Sequence, residues 1–224
     1  MTRFSFVCLA TLLAFSSYCL LGKEEKLPND VRWVRESGEY ETLCKQTFRL
    51  AQEVVRMKIN HSTKQKIAIV MDLDETVMDN SLYQVERHQQ GLGFTQNSWS
   101  DWVKRENAGL VPGAKSFIDF LRKQPVRLIF LSNRMHENLA PTKSNLSKLG
   151  VLKADDLFLL RIDKHDTKIK RRAEITGGKA RMKKTGPFLV IAYFGDSLGD
   201  FPATAKDPFG RTQFMLPNPM YGKW

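Results

Sequence analysis

The sequence predicts an α/β fold in which helices cover both faces of a parallel sheet and a small, mostly helical cap lies beside it. Short apolar runs typical of buried strands alternate with segments whose apolar residues recur at helical spacing. This alternation favours a parallel sheet. Residues 80–109, between the first strand and the next helix, contain Phe94, Trp99 and Trp102 and are long enough to form the cap. The 224 residues, 42% of them hydrophobic, suffice for one core.

Residues 1–22 are predicted to be a signal peptide or an N-terminal anchor. Arg3 provides a positive charge, and residues 4–21 are largely apolar. Cleavage and retention both stay open, because the apolar stretch is near the lower length limit for crossing a bilayer. Cys19 is a candidate for lipidation, although Tyr18 stands where lipoprotein processing expects a small residue. Residues 23–224 are the predicted globular domain.

The elements of this domain follow from local patterns. Apolar residues over 31–55 indicate one or two helices, with Ser37-Gly38 as the break. Two later helices are expected at 114–123 and 139–149. The cap is expected to come from about 30–60 and 80–110. The predicted strands cover residues 66–71, 126–131, 156–160, 188–194 and 212–216.

Two carboxylates follow the first predicted strand directly. Extended backbone alternates its side chains, so Asp72 and Asp74 can project to one side while Leu73 points elsewhere. Two carboxylates about 4 Å apart repel by roughly 4 kcal/mol at an effective dielectric near 20. Such a pair needs a shared proton or a bound cation. A divalent metal is therefore expected here.

These residues fit phosphoryl transfer. Asp72 is the candidate nucleophile, which would attack phosphorus and form an aspartyl phosphate. Asp74 is the candidate general acid and base, which would protonate the leaving oxygen and then activate water. Thr76 is expected to orient the loop and to take part in phosphate binding.

Further candidates follow later strands. Ser132 and Asn133 follow the second predicted strand, where a hydroxyl and backbone amides can hold phosphate oxygens. Lys168 is expected to neutralise the charge shared by nucleophile and phosphoryl group, with Lys164 and Lys170 as rival positions.

The fourth strand leads to two more acidic candidates. Asp196 stands at its end as a hard oxygen ligand suited to Mg²⁺. Asp200 is expected to hold a metal-bound water rather than the metal itself.

In this order the motifs resemble the haloacid dehalogenase (HAD) superfamily and, more narrowly, the class C non-specific acid phosphatases, which are bacterial exported or outer-membrane lipoprotein enzymes. The resemblance spans nearly the whole domain. It rests on Val70-Met71-Asp72-Leu73-Asp74-Glu75-Thr76-Val77-Met78-Asp79-Asn80, Ile129-Phe130-Leu131-Ser132-Asn133-Arg134, Trp99-Ser100-Asp101-Trp102 and Leu216-Pro217-Asn218-Pro219-Met220-Tyr221-Gly222.

The resemblance implies a HAD-like Rossmannoid sheet and a Mg²⁺ bound by the Asp72 carboxylate, the Asp74 backbone carbonyl and Asp196. It also implies that Phe94 and Tyr221 clamp the base of a 5′-nucleotide. The expected location is the periplasm, the outer membrane or the exterior, with a membrane tether through the leader left open. Residues 201–209 form a shorter segment than the family usually has, which bears on the site entrance or on a homodimer contact.

The formal net charge of +11 is compatible with nucleic acid, an anionic membrane or small phosphorylated substrates. The densest basic run, 161–184, lacks interleaved aromatic residues and any groove-reading motif, so no nucleic-acid partner is expected. A small phosphomonoester, above all a nucleoside monophosphate, is the expected partner.

Two other functions are compatible with parts of the sequence. Gly195-Asp196-Ser197-Leu198-Gly199 matches Gly-x-Ser-x-Gly, which would make Ser197 a serine esterase nucleophile. Chain order disfavours this hypothesis, because all four histidines precede Ser197. A non-catalytic surface or storage role is the other alternative, since some relatives have lost the nucleophile. The presence of Asp72 favours an enzyme.

Overall fold

The computed structural model describes residues 26–60, 65–203 and 208–222. The predicted leader, including Cys19, lies outside them. Within the described ranges, no helix combines the length and the apolar character needed to cross a membrane.

The chain forms a sheet of five parallel strands and a small antiparallel ribbon. The sheet consists of β1 (Ile67–Met71), β4 (Arg127–Met135), β5 (Leu157–Arg161), β6 (Leu189–Gly195) and β7 (Gln213–Met215). Its order is β5-β4-β1-β6-β7, and every pair of neighbours is parallel. The ribbon pairs β2 (Met78–Asp79) with β3 (Gly109–Leu110). All five predicted strands are therefore confirmed, and β1 lies at the centre.

Seven α-helices are present among the described residues. The predicted break at Ser37 is confirmed: its backbone is extended, and its Oγ accepts a hydrogen bond from Tyr40 N at 3.0 Å, in the first turn of the next helix. The helices are α1 (Asn29–Glu36), α2 (Gly38–Asn60), α3 (Ser81–Gln89), α4 (Gln96–Arg105), α5 (Ala114–Leu121), α6 (Leu139–Lys148) and α7 (Lys168–Gly177).

The two faces of the sheet have separate cores. Alternate residues of β1 point to opposite faces, so Ile69 joins one cluster and Val70 the other. The first cluster includes Phe48 of α2 and Phe117 of α5, whereas the second includes Ile175 of α7. Burial of both faces explains why the strands read as continuous apolar runs.

The helices in the two segments expected to form the cap, about 30–60 and 80–110, pack against different parts of the fold. Helix α2 packs on the sheet, where it contacts α5, β6 and β7. Helix α1 contacts α3. The interval after β1 contains α3, α4 and the ribbon. Within it the rings of Tyr83 and Trp99 meet edge to face, with centroids 5.0 Å apart. The cap assignment itself stays a prediction.

Candidate active site

The predicted acidic residues, Ser132 and Lys168 meet at the carboxyl edge of the sheet, where parallel α/β proteins bind ligands. Asp72 follows β1, Ser132 lies near the end of β4, and Asp196 follows β6. The Asp72 backbone N–H donates to Phe194 O at 2.9 Å, which fixes the β1 loop beside β6. Leu73 is fully buried in the core, as the alternation of side chains predicts.

Lys168 lies between two carboxylates at the first turn of α7. Its ammonium donates to Asp72 Oδ1 and to Asp200 Oδ1. The side chain is buried, whereas the rival positions Lys164 and Lys170 are exposed. The structure therefore places Lys168, and neither rival, beside the candidate nucleophile.

Burial and charge oppose each other in this cluster. Burial raises the pKa of Asp72 well above its usual value, and the charge of Lys168 offsets this only in part. Burial alone would lower the pKa of Lys168, but the charges of Asp72 and Asp200 outweigh it and leave that pKa raised. The ammonium therefore stays charged and provides a fixed positive group next to Asp72.

Asp196 and Asp200 complete an acidic cluster. Asp196 Oδ2 accepts from Asn218 Nδ2 at 2.8 Å, and Asp200 Oδ2 accepts from Ser197 N at 3.0 Å. Burial, and next to it the charge of Asp200, raises the pKa of Asp196 to about 6. One carboxylate oxygen each from Asp72, Asp196 and Asp200 lies within 4.8 Å of the others.

This cluster fits a divalent cation. It brings three carboxylates together beside Lys168 as the neutralising ammonium, so negative charge is in excess. Oxygen ligands of this kind are those that Mg²⁺ and Ca²⁺ prefer. Asp200 is close enough to the other two carboxylates to bind the metal directly. Its expected role, to hold a metal-bound water, stays a prediction. Binding of the metal by the Asp74 backbone carbonyl also stays a prediction.

Asp74 is held from a different side. Its Oδ1 accepts hydrogen bonds from Arg134 Nε at 2.9 Å and from Asn80 Nδ2 at 3.1 Å, and lies 2.7 Å from Arg134 Nη2. Its Oδ2 accepts a long hydrogen bond of 3.4 Å from Ser132 Oγ. The two oxygens of this carboxylate therefore have unequal surroundings.

The loop after Asp74 turns through an unusual backbone. Glu75 has a φ of 54°, in the left-handed region that side chains other than glycine rarely adopt. Its Oε1 accepts from Asn80 N at 2.9 Å, and the side chain is buried. Thr76 is fully buried, and its hydroxyl has no hydrogen-bond partner in the described ranges. Thr76 is thus placed to support the loop, and its role in phosphate binding stays a prediction.

Asn133 is exposed at the site, whereas Ser132 is buried. Arg171 on α7 donates from Nη2 to Asn133 Oδ1 at 2.7 Å and from Nη1 to Leu159 O at 3.0 Å. The bond from Arg171 engages the carbonyl oxygen of the Asn133 side chain. The amide N–H groups of Asn133 are not part of this contact, and they are the groups that could donate to a phosphate oxygen.

The two expected clamp residues lie in different segments. Phe94 precedes α4 and is 64% exposed, with its ring centroid 6.2 Å from that of Trp99. Tyr221 is partly buried in the C-terminal segment, and Asn218 fastens that segment to Asp196. An exposed ring is available for stacking, but the clamp stays a prediction.

Ser197 has a structural role. It caps the short 3₁₀ turn Leu198–Asp200 through a reciprocal pair of hydrogen bonds with Asp200. A serine hydrolase elbow needs a strand, a sharp turn and then a helix. Here the strand leads into a single 3₁₀ turn, so the elbow geometry is absent at this position.

Several residues that organise the site were not predicted from the sequence. Arg134, Asn80 and Arg171 are fully buried, and Arg172 is nearly so. Arg172 donates from Nη1 to Gly199 O at 3.0 Å and so holds the loop that carries Asp200. The sequence signal that could have identified the arginines is their position in a buried strand or on the inner side of a helix. Arginine is rarely buried without a partner, so an arginine in such a position indicates a specific interaction.

Comparison with known proteins agrees with this geometry. Residues 21–224 match the family described as HAD superfamily, subfamily IIIB (acid phosphatase). The class C acid phosphatase from Bacillus anthracis superposes with a TM-score of 0.76 and 30% identity, covering 86% of this chain and 84% of that one. A tungstate-bound structure of that enzyme gives a TM-score of 0.75, 30% identity and the same coverage.

Two plant proteins are more distant relatives. The stem 31 kDa glycoprotein of Glycine max is 26% identical over 185 residues, which is 82% of this chain and 68% of that protein. The stem 28 kDa glycoprotein is 28% identical over 158 residues, or 70% and 60% of the two chains. The chain belongs to the subfamily IIIB acid phosphatases of the HAD superfamily and is a phosphomonoester hydrolase.

Proposed function

We propose that this protein is an exported, Mg²⁺-dependent acid phosphatase that hydrolyses 5′-nucleotides through an aspartyl phosphate on Asp72. The observation that carries the proposal is the Asp72 carboxylate, held by Lys168 on one side and placed against Asp196 and Asp200 on the other. A nucleophile in such surroundings can approach a negatively charged phosphoryl group, because positive charge is already fixed beside it.

In the first half-reaction an Asp72 oxygen attacks phosphorus in line with the leaving oxygen. The new oxygen–phosphorus bond forms as the bond to the leaving group breaks, and Asp74 provides the proton that the leaving oxygen takes up. Lys168 neutralises charge at Asp72 throughout. A divalent cation held by Asp72, Asp196 and the Asp74 carbonyl would supply further positive charge beside the phosphoryl oxygens.

In the second half-reaction water attacks the phosphorus of the aspartyl phosphate. Asp74, now a carboxylate, takes a proton from that water, and inorganic phosphate leaves as Asp72 is restored. Ser132 and the Asn133 amide hold phosphate oxygens at the end of β4. The Asn133 amide is suited to this task because Arg171 engages its carbonyl oxygen at 2.7 Å and leaves the N–H groups free of that contact.

The proposed substrate class is the nucleoside 5′-monophosphates. The exposed Phe94 ring and the Tyr221 ring would stack on the two faces of a base without reading its edge. The Bacillus anthracis enzyme has been crystallised with tungstate bound, and tungstate is a tetrahedral oxyanion like phosphate, which supports a phosphate ester as the substrate here.

Export is proposed from the apolar N-terminal segment after Arg3. The periplasm or the outer membrane is the proposed location, with a tether through the leader and a homodimer as further proposals.

The test is hydrolysis of an aryl phosphate by the protein with and without a chelator. Loss of activity with chelator and recovery with added Mg²⁺ are expected, whereas Ca²⁺ should restore less. A panel of 5′-nucleotides, 3′-nucleotides, sugar phosphates and phosphotyrosine then tests substrate class. Activity that ignores the chelator would contradict the metal assignment, and a preference for sugar phosphates would contradict the nucleotide assignment.

A further inference from the structure

The two oxygens of the Asp74 carboxylate differ in a way that the acid–base role leaves unexplained. Arg134 contacts Oδ1 with both Nε, at 2.9 Å, and Nη2, at 2.7 Å. Asn80 Nδ2 donates to the same oxygen at 3.1 Å. Oδ1 is thus crowded with donors, whereas Oδ2 has the single 3.4 Å hydrogen bond from Ser132 among the described residues.

Arg134 is itself held rigidly. Its side chain is 1% exposed, and its Nη1 donates to Thr142 Oγ1 at 3.0 Å. Its Nη2 also lies 3.3 Å from Asn80 Oδ1, and its backbone N–H donates to Ser132 Oγ at 3.0 Å. A guanidinium enclosed in this way has no surface left to contact a substrate. Among the partners of the guanidinium, Asp74 is the one with a proposed role in the chemistry, so an effect of the Arg134 side chain on the reaction is expected to pass through Asp74.

We propose that Arg134 is a positioning residue for Asp74: together with Asn80 it occupies Oδ1, so that Oδ2 is the oxygen that exchanges the proton with the leaving group. This inference rests on the proposed function, in which Asp74 is the general acid. The inference specifies that Oδ2 is the oxygen of Asp74 that transfers the proton and that the buried Arg134 holds the carboxylate in the required orientation. The geometry of the guanidinium matters, because its rigid planar fork lets Nε donate to Asp74 Oδ1 while Nη2 donates to the neighbouring Asn80 Oδ1, an arrangement that an ammonium does not reproduce.

These hydrogen bonds also connect helix α4 to Asp74, the proposed proton donor. Trp102 of α4 donates from Nε1 to Asn80 Oδ1 at 2.8 Å, and the same Asn80 side chain donates to Asp74 Oδ1. The orientation of the Asn80 amide is therefore set by the indole and the guanidinium together. Loss of the indole N–H should loosen Asp74 in the same direction as loss of the Arg134 fork, but less.

The chemistry provides a specific readout. In the step concerned, the Asp72 oxygen–phosphorus bond forms, the bond from phosphorus to the leaving oxygen breaks, and that oxygen takes the proton from Oδ2 of Asp74. A weakly basic leaving group such as dinitrophenolate departs without a proton, whereas phenolate needs one. Misplacing the acid should therefore slow phenyl phosphate hydrolysis far more than dinitrophenyl phosphate hydrolysis.

The experiment compares kcat/KM for these two substrates in full-length wild type and Arg134→Lys, because kcat/KM reports the steps through leaving-group departure. Arg134→Lys keeps the charge but loses the fork. The expected loss is about 100-fold for phenyl phosphate and under about threefold for dinitrophenyl phosphate. Inhibition by inorganic phosphate should be unchanged. When Asp74→Asn is already present, adding Arg134→Lys should not change the ratio of kcat/KM between dinitrophenyl phosphate and phenyl phosphate any further.

The matched control is Arg122→Lys, which alters another Arg–Asp pair that is partly buried, between Arg122 after α5 and Asp156 before β5. It should leave the ratio of the two rates unchanged. If Arg134→Lys does not fold, Trp102→Phe takes its place, with a smaller loss confined to phenyl phosphate. Equal losses on both substrates would overturn the inference. If wild type hydrolyses neither substrate, the proposed function fails instead, so the two failures are distinguishable.

Discussion

Gly195 and Asp200 are in such close contact that a larger residue does not fit at position 195. A Cβ added to Gly195 would lie 2.7 Å from Asp200 Cγ and closer still to Cβ and Oδ2. Because Asp200 also binds Lys168 and Ser197, a shift of its side chain away from position 195 would disturb these two contacts. The glycine at the end of β6 is therefore required by the site and not by a turn.

Gly195→Ala is expected to displace Asp200 and to lower kcat/KM by about 100-fold, since displacements of about 1 Å in an active site have effects of that size. Gly199→Ala is the matched control, because its Cβ would meet Ser197 Oγ at 3.9 Å, an ordinary contact. Steady-state kinetics with an aryl phosphate measures both variants. Equal activity in the two would show that the position of Asp200 does not matter.

Lys168→Met should lower kcat by about 100-fold or more, because it removes the buried positive charge between Asp72 and Asp200 while keeping most of the side-chain volume. Lys170→Met, two residues away on the exposed side of α7, serves as the control and should behave like wild type. Circular dichroism of both variants checks the fold. If the two substitutions have the same effect, the assignment of Lys168 is wrong.

Metal affinity should depend on pH through Asp196. Burial, followed by the Asp200 charge, raises the pKa of this carboxyl to about 6 in the metal-free protein. Below that pH a proton must leave before the carboxylate can bind a cation, so affinity should fall by about tenfold for each pH unit. Calorimetric titration with Mg²⁺ between pH 4.5 and 8 measures this, and a flat profile would contradict it.

The aromatic pair should discriminate between substrates. Phe94→Ala and Tyr221→Ala are each expected to raise KM for a nucleoside 5′-monophosphate by about tenfold, because a base loses one stacking partner. KM for a small aryl phosphate should change much less. Leu92→Ala, another exposed apolar residue close to Phe94, is the matched control. Equal increases for both substrates would remove the clamp hypothesis.

Local patterns were sufficient for most of the fold. The β-strands are apolar on both sides, and Ser37 stops one helix and caps the next, so each could be recognised without its neighbours. Helix α7 was not predicted, because its buried residues are mostly charged: Lys168, Arg171 and Arg172 accompany a single apolar residue, Ile175. Its polarity is explained only by the carboxylates and carbonyls that it meets in the folded chain.

The site likewise contains residues that the local sequence predicts and contacts that it does not. Asp72, Asp74 and Asp196 could be predicted because Asp72 and Asp196 each follow a strand directly, Asp74 lies two residues after Asp72, and parallel strands end at one edge. The contact between Arg134 and Asp74 joins residues 60 positions apart in the chain. No local spacing signals such a pair. The register of β4 against β1, which only folding establishes, brings them together.

The most direct measurement traps the phosphorylated protein. Borohydride added during turnover reduces an aspartyl phosphate to homoserine, which peptide mass spectrometry can locate in the chain. Homoserine is expected at position 72 alone, in the presence of both substrate and Mg²⁺, and not in Asp72→Asn, which should be inactive yet folded. Active protein in which position 72 is never modified, or in which phosphate is found on Ser197, would contradict the assignment of Asp72 as the nucleophile.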